Sequence, residues 1–160
     1  MSIQLSGADI IDLAVRTETQ GEQFYRQAAE QAESPEAQKL FSFLADEEVR
    51  HRETFEKLGS ALKPAEIPPS EWQEALEYIA VTVEQEFFQP NAPIRAIPQG
   101  ATVQDMLRQA IQFEQQTLLF FYTLRDLVRP RDRPLVDRII REERTHVRRL
   151  SSLLKGGEKS

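Results

Sequence analysis

The stretch Glu47-Glu48-Val49-Arg50-His51 decides the fold, because the chain repeats its pattern 95 residues later as Glu142-Glu143-Arg144-Thr145-His146. A second motif recurs with nearly the same offset: residues 14–25 correspond to residues 110–121, 96 positions further on, and each has a lone glutamate at its fifth position. Each half of the chain therefore supplies one lone Glu and one Glu-x-x-His. This is the ligand inventory of a carboxylate-bridged two-metal site inside a four-helix bundle.

The apolar residues of four segments alternate between spacings of three and four, which places their side chains on one helical face. We predict helices over about residues 7–33, 35–58, 102–128 and 133–154. The expected start and stop signals are Ser6 with Asp9, Ser34 before Pro35, Thr102 with Asp105, Gly59, and Gly156-Gly157.

A long connection separates the two repeats, because six prolines fall between residues 64 and 98. Within it, Ser70 is expected to cap a shorter helix over about 71–87. We predict one all-α domain over residues 1–160, a four-helix bundle of two repeated antiparallel hairpins (about 7–59 and 102–155). The crossover spans residues 60–101 and carries the short helix.

The length, net charge and amino-acid composition of the chain exclude several classes of function. A length of 160 residues suits one domain with its own core. The net charge of −6 disfavours nucleic-acid binding. The lack of cysteine excludes disulfides, iron–sulfur clusters and a Cys-ligated rubredoxin-type iron within this chain. The N-terminus lacks a signal-peptide pattern, and the longest apolar run, 118–122, cannot span a bilayer. We expect a cytoplasmic protein that does not contact membranes.

Ionisable residues interrupt each apolar seam near its middle. Four buried carboxylates would repel one another and would be costly to bury, whereas two divalent cations would offset their four negative charges. Glu48 and Glu143 are the candidates for bridging both ions. Carboxylate and imidazole ligands suit iron or manganese, although zinc is an alternative. The expected ligands are Glu18, Glu48, His51, Glu114, Glu143 and His146.

The plainer interpretation is that these six residues are solvated helix positions, which is the common fate of a single Glu-x-x-His. Here two such pairs and two lone glutamates coincide in register on apolar seams, which favours metal binding.

At these residues the chain resembles the rubrerythrin family of the ferritin-like superfamily, over about residues 10–154. The resemblance depends on Glu18 with Tyr25 seven residues later, on residues 44–51, on the matching second half, and on residues 77–80 of the crossover. It implies a ferritin-like bundle and a non-haem di-iron centre held by the six residues above. It also implies redox chemistry with hydrogen peroxide or dioxygen, often with ferrous iron as the reductant.

The chain departs from the family pattern in three ways. Its 160 residues include no cysteine-bearing rubredoxin module, so we expect electrons to come from another protein or from ferrous iron. Thr117 stands where rubrerythrins proper carry a further glutamate, which makes the ligand set closer to bacterioferritin-type ferroxidase sites. Phe121 replaces a second tyrosine, with Tyr122 next to it, which leaves Tyr25 as the inward phenol.

Several other residues have both a functional and a plainer interpretation. Tyr25 is either a proton and hydrogen-bond donor at the site or a core aromatic. Glu22 is expected to be exposed. Glu47 and Glu142 could orient a histidine across the bundle, although a solvated surface is favoured. The nine arginines over residues 125–149 could dock an acidic electron carrier, but a solvated face is the more common outcome.

Three functions are consistent with the sequence. The first is a di-iron oxidoreductase that reduces hydrogen peroxide or dioxygen, of the peroxidase or ferroxidase type. The second is an iron-binding and sequestration protein with slow ferroxidase activity. The third is a structural metal-binding bundle without turnover. By its resemblance, the chain is expected to form a homodimer or a larger homo-oligomer.

Overall fold

The structure is a computed structural model that describes residues 7–59, 68–86 and 97–158, and these ranges form α-helices without any β-strand. The helices are α1 (Gly7–Gln31), α2 (Pro35–Leu58), α3 (Pro69–Glu86), α4 (Val103–Leu127) and α5 (Arg133–Glu158), with a 3-10 turn at Pro130–Asp132. The predicted all-α class is confirmed.

The helices pack as two hairpins. α1 packs along α2, and α4 packs along α5. Contacts of α1 with α4 and of α2 with α5 join the two hairpins into a four-helix bundle, and α3 lies against α4. The predicted bundle is therefore confirmed, with α3 as the short crossover helix. Residues 60–67 and 87–96 of the predicted crossover lie outside the described residues.

Two of the predicted helix starts have the expected caps. The Ser34 hydroxyl accepts a hydrogen bond from the Ala37 backbone N–H at 3.3 Å, and Pro35 follows as the first helical residue of α2. Thr102 and Asp105 form a reciprocal capping box at the start of α4, with both hydrogen bonds at 3.1 Å. Such caps each stabilise a helix by about 1 kcal/mol. The expected cap at Ser6 lies outside the described residues.

The crossover helix α3 begins at Pro69, two residues earlier than predicted. The Trp72 backbone N–H donates a hydrogen bond to the Pro68 carbonyl at 3.0 Å, so Pro69 lies in the first helical turn. Proline suits that position because its φ is fixed near the helical value and its missing N–H would have no partner there. Ser70 is therefore a first-turn residue and not the predicted N-cap. The predicted end at Phe87 lies outside the described residues.

The ends of α1 and α5 also differ from prediction. α1 ends at Gln31 and not near residue 33. α5 continues through the Gly156-Gly157 pair to Glu158, beyond the predicted end at Leu154, because neither glycine has the positive φ with which glycine usually ends a helix. A Cβ atom added to Gly157 would lie 2.8 Å from the Gln104 side chain, so this glycine allows the last turn of α5 to lie close to α4.

The hydrophobic core forms two clusters with a polar layer between them. On each of the four bundle helices, the buried polar residues lie between a stretch that belongs to one cluster and a stretch that belongs to the other. Buried aromatic rings, among them Phe55 and Phe121 on one side and Tyr25 and Phe41 on the other, cover both sides of this layer. Within the described residues, no helix has the length and apolar character needed to cross a bilayer.

Candidate metal centre

The polar layer contains every residue that the sequence predicted as a metal ligand. α1 supplies one of them, α4 supplies one, and α2 and α5 each supply a Glu-x-x-His pair on neighbouring turns of one face. All are at most 2% exposed, which contradicts the interpretation of these positions as solvated. The six residues are Glu18, Glu48, His51, Glu114, Glu143 and His146.

Their side chains form two overlapping groups. In each group the candidate ligand atoms, one from each residue, lie within 4.8 Å of one another. Glu48 and Glu143 are common to both groups, which places them where bridging carboxylates would lie. The first group adds Glu18 and His51, and the second adds Glu114 and His146. The fold therefore creates two adjacent four-residue sites that share two carboxylates.

Both histidines turn the same nitrogen toward the carboxylates. His51 Nδ1 lies 2.8 Å from one oxygen of Glu143, and His146 Nδ1 lies 3.0 Å from the other oxygen of the same carboxylate. His51 Nδ1 is also 3.8 Å from Glu18, and His146 Nδ1 is 3.8 Å from Glu114. The two imidazole rings stack with their centroids 5.8 Å apart. Each histidine therefore faces one group, and Glu143 lies between them.

Several carboxylate oxygens in this layer have no hydrogen-bond partner among the described residues. They are both oxygens of Glu18, Oε1 of Glu48 and Oε2 of Glu114. A buried acceptor without a partner costs about 1–3 kcal/mol, and more when it is charged. Divalent cations between these oxygens would satisfy them and would offset the negative charge. The residues present therefore fit a two-metal centre.

The pKa directions show how the carboxylates share protons without a cation. Burial, followed by the charge of Glu143, raises the pKa of Glu18 to about 8. The same two causes raise the pKa of Glu114 well above its usual value. Burial acts in the same direction on Glu143, but its interaction with the neighbouring Glu114 carboxyl group and with the adjacent histidines outweighs burial and holds the pKa of Glu143 well below its usual value. Metal binding must therefore displace protons from Glu18 and Glu114.

Tyr25 lies at the edge of this cluster, as its position seven residues after Glu18 predicts. It is fully buried, and its hydroxyl donates a hydrogen bond to Glu114 Oε1 at 2.5 Å. Burial, followed by the charge of Glu114, raises the pKa of Tyr25 well above its usual value. The phenol therefore keeps its proton near neutral pH and acts as a donor to this carboxylate.

Glu47 and Glu142 are the residues whose role the sequence analysis underestimated. Glu142 Oε2 lies 2.7 Å from His51 Nε2, and Glu47 Oε2 lies 3.8 Å from His146 Nε2. Glu47 is 4% exposed, so the expected solvated surface is wrong for it, and it forms an ion pair with Arg50. The signal in the sequence was the repeated Glu-Glu pair, in which each first glutamate contacts the histidine of the other hairpin.

The contact between His51 and Glu142 changes the pKa of both residues. Burial opposes protonation of His51, but the charge of Glu143, the hydrogen bonds with Glu142 and Glu143 and the nearby Glu18 carboxylate outweigh it and raise the pKa of His51 well above its usual value. The hydrogen bond with His51 lowers the pKa of Glu142. Glu142 therefore remains a carboxylate that holds the outer nitrogen of this imidazole and fixes the orientation of the ring.

Gly21 allows Glu48 to occupy its place. This buried glycine lies on α1 one turn after Glu18, and a Cβ atom added there would lie 3.2 Å from Glu48 Cδ and 3.2 Å from a ring carbon of Phe113. Both distances are tighter than an ordinary van der Waals contact. Gly21 follows Glu18 by three residues, which is the spacing of one helical face, but the approach of the Glu48 carboxylate depends on how α1 and α2 pack.

Three other positions have clear outcomes. Thr117 is buried, and its hydroxyl has no hydrogen-bond partner among the described residues. This position therefore faces the interior with a hydroxyl group and not with a further carboxylate. Tyr122 is 45% exposed and does not replace the missing tyrosine. Glu22 is half-buried and not exposed as expected, because it pairs with Arg52 at 2.8 Å and with Arg26 at 3.6 Å.

Comparisons with known proteins agree with this geometry. A family model described as Rubrerythrin matches residues 9–154, which is most of the chain. A solved structure from Thermotoga maritima, described as a ferritin-like diiron-carboxylate protein, superposes on this structure with a TM-score of 0.69. The two sequences are 25% identical, and the match covers 97% of this chain and 98% of the other. No curated protein shows a significant sequence match.

Proposed function

The chain belongs to the rubrerythrin family, and on that basis we propose that it is a non-haem di-iron oxidoreductase that reduces hydrogen peroxide or dioxygen. The observation that carries the proposal is the pair of overlapping groups, each with three carboxylates and one imidazole, that share Glu48 and Glu143. Mixed oxygen and imidazole ligands without thiolate favour iron or manganese over softer metals.

The six candidate ligands can be assigned to two ions according to the two groups that they form. Glu18 and His51 would hold one ion, Glu114 and His146 would hold the other, and the shared carboxylates would contact both. When bound, a pair of ferrous ions supplies the two electrons that reduction of one peroxide requires and acts as a Lewis acid toward its oxygens.

The chain itself supplies orientation, a proton and exclusion of solvent. Tyr25 fixes one oxygen of Glu114 by its hydrogen bond, and it is the proposed proton donor because it is the buried phenol at the cluster. Glu142 and Glu47 lie at the outer nitrogens of His51 and His146 and act as positioning residues. The two apolar clusters on either side of the layer exclude competing water.

A second candidate is an iron-binding and sequestration protein with slow ferroxidase activity. Thr117 favours it, because the absence of a carboxylate at this buried position leaves a set of four glutamates and two histidines without a further exchangeable ligand. In this case ferrous iron is both the substrate and the source of electrons. The third possibility, a bundle that holds zinc or manganese without turnover, predicts metal binding without any redox change.

One anaerobic experiment separates these functions. The protein is loaded with ferrous iron and mixed with one equivalent of hydrogen peroxide, and both peroxide loss and the rise of ferric absorption are followed. Fast peroxide loss that recurs after re-reduction supports the oxidoreductase. Slow oxidation of added ferrous iron, with the ferric product retained, supports sequestration. An unchanged spectrum with tightly bound metal would contradict both redox functions.

A further inference from the structure

A groove of about 400 Å³ opens on the surface between α2 and α5, directly outside the His146 side of the metal centre. His146 and the two outer glutamates, Glu47 and Glu142, contribute to its lining. Its rim carries four arginines, all with exposed side chains: Arg50, Arg138, Arg141 and Arg149. Because His146 itself lines the groove, this candidate ligand forms part of the groove wall.

The charge of this surface is opposite to that of the chain as a whole. The chain has a net charge of −6, whereas α5 carries seven basic and four acidic residues. Both groove carboxylates already have partners, since Glu47 pairs with Arg50 and Glu142 contacts His51. Arg141 and Arg149 form no direct ion pair with any residue in the described ranges, so the groove presents unmatched positive charge to solvent.

An exposed aromatic ring at the groove contacts one of the candidate metal ligands. Phe43 is 40% exposed, and its ring meets the His146 ring edge to face with centroids 6.3 Å apart. The guanidinium carbon of Arg149 lies over the Phe43 ring, 4.8 Å from its centroid. An exposed aromatic residue among arginines is the composition that protein–protein contacts favour at their centres.

From these contacts we propose that the groove is the docking surface for an acidic protein that carries single electrons. Exposed arginines spread over an open rim suit the carboxylates of a protein surface better than a small anion, which would need buried, converging donors. The positive rim also disfavours the approach of free ferrous ions by this route. A carrier seated on Phe43 would lie one imidazole away from the carboxylate cluster.

The electron count is simple and rests on the proposed function. Reduction of one hydrogen peroxide to two waters consumes two electrons and two protons. Two successive dockings would supply these electrons, each oxidising the carrier by one electron, and the two ions held by the six ligand residues would receive them. The protons come from the site and solvent. Docking itself depends only on the groove, so it can be measured without metal.

The test measures binding of a plant-type [2Fe–2S] ferredoxin, an acidic one-electron carrier, to the full metal-free chain at several salt concentrations. We expect binding that weakens as salt rises, because opposite charges on the two surfaces drive it. The double variant Arg141→Glu with Arg149→Glu should weaken it by about tenfold or more. The matched control, Arg144→Glu with Arg148→Glu, makes the same charge change on exposed positions of α5 outside the groove lining.

The control should retain binding close to that of the unchanged chain, and circular dichroism should show that both variants are folded. Equal losses in the two double variants would overturn the proposal, because net charge alone would then explain the effect. Failure of the unchanged chain to bind the ferredoxin at low salt would also overturn it. Iron binding and peroxide chemistry are measured separately, so their failure would count against the proposed function and not against the docking surface.

Discussion

The hydroxyl of Tyr25 holds one oxygen of Glu114 and leaves the other oxygen without a protein partner. This contact connects the apolar core to the chemistry of the site. The ring packs near Phe24 and Phe41, and its polar end faces the cluster. Removal of the hydroxyl alone therefore separates its polar role from its packing.

We expect Tyr25→Phe to keep two metal ions but to slow peroxide reduction, since the proposed proton donor is lost while every ligand remains. The metal-free protein should lose about 1–2 kcal/mol of stability, because one buried oxygen of Glu114 loses its donor. Rapid mixing and denaturant unfolding measure the two effects. Tyr122→Phe is the matched control, because Tyr122 is 45% exposed and should change neither quantity. An unaffected rate in Tyr25→Phe would assign Tyr25 to packing alone.

A methyl group at Gly21 should disturb the shared carboxylate. In Gly21→Ala the new Cβ would lie 3.2 Å from Glu48 Cδ and from the Phe113 ring, so Glu48 must move. We expect metal affinity to fall by about tenfold, measured by competition with a chelator. Gly156→Ala is the control, because no atom lies within 4 Å of the added Cβ. It should leave affinity unchanged and stabilise α5 by up to about 1 kcal/mol. Equal affinities in both variants would show that Glu48 does not need this space.

The two Glu-Glu-x-x-His segments, one on α2 and one on α5, contact each other across the bundle: the first glutamate of each approaches the histidine of the other. Glu142 of α5 contacts the outer nitrogen of His51 on α2 at 2.7 Å, and Glu47 of α2 approaches the outer nitrogen of His146 on α5 at 3.8 Å. The repeat therefore places two ligands on each of these helices and also ties the helices together across the polar layer.

The unequal distances predict unequal effects of removing these carboxylates. Glu142→Ala should weaken metal binding by about 10- to 100-fold, since His51 loses a direct hydrogen-bond partner. Glu47→Ala should have the smaller effect on affinity, because its contact with His146 is longer. Isothermal titration with a divalent cation measures both constants. The reverse order of effects would contradict the assignment of Glu142 as the stronger positioning residue.

The sequence predicted the helices and the six clustered residues because both follow from local periodicity. A seam at spacings of three and four fixes which side chains face inward, so Glu18 and His146 could be placed without coordinates. The burial of Glu47 could not be predicted from the sequence, because it depends on contacts with Arg50 and with a histidine from the other hairpin. The extension of α5 through Gly157 depends likewise on the approach of Gln104.

The stability of the entire bundle depends on the carboxylate cluster, and the dependence on pH has opposite signs with and without metal. Glu18 has a pKa near 8 in the folded, metal-free chain against an ordinary value of 4.5, and burial with the charge of Glu143 causes the rise. A group whose pKa is higher in the folded state than in the unfolded state stabilises the fold at pH values below its unfolded-state pKa. This stabilisation is lost as the pH rises through its folded-state pKa. The pKa values of Glu114 and His51 are raised too and act in the same direction.

The metal-free protein should therefore lose stability, by a few kcal/mol, as the pH rises from about 5 to about 8. The lowered pKa of Glu143 does not oppose this trend, because its contribution is complete above its ordinary value of 4.5. Glu18→Gln should flatten the profile. With metal bound the trend should reverse, since ligands must lose protons to bind. Thermal unfolding across this range tests both slopes, and a metal-free profile that rises with pH would contradict the protonation pattern.

Anaerobic titration with ferrous iron shows whether the six buried residues hold two ions that share Glu48 and Glu143. We expect two ions per chain and a melting temperature that rises on loading, because the ions bind only the folded state. At a free concentration of one hundred times Kd, each ion adds about 2.7 kcal/mol to the free energy of unfolding. Glu48→Ala should remain folded but lose both ions, since both groups include this residue. A full complement of two ions in Glu48→Ala would rule out the shared carboxylate. No binding and no change in melting temperature in the unchanged chain would rule out the two-metal centre.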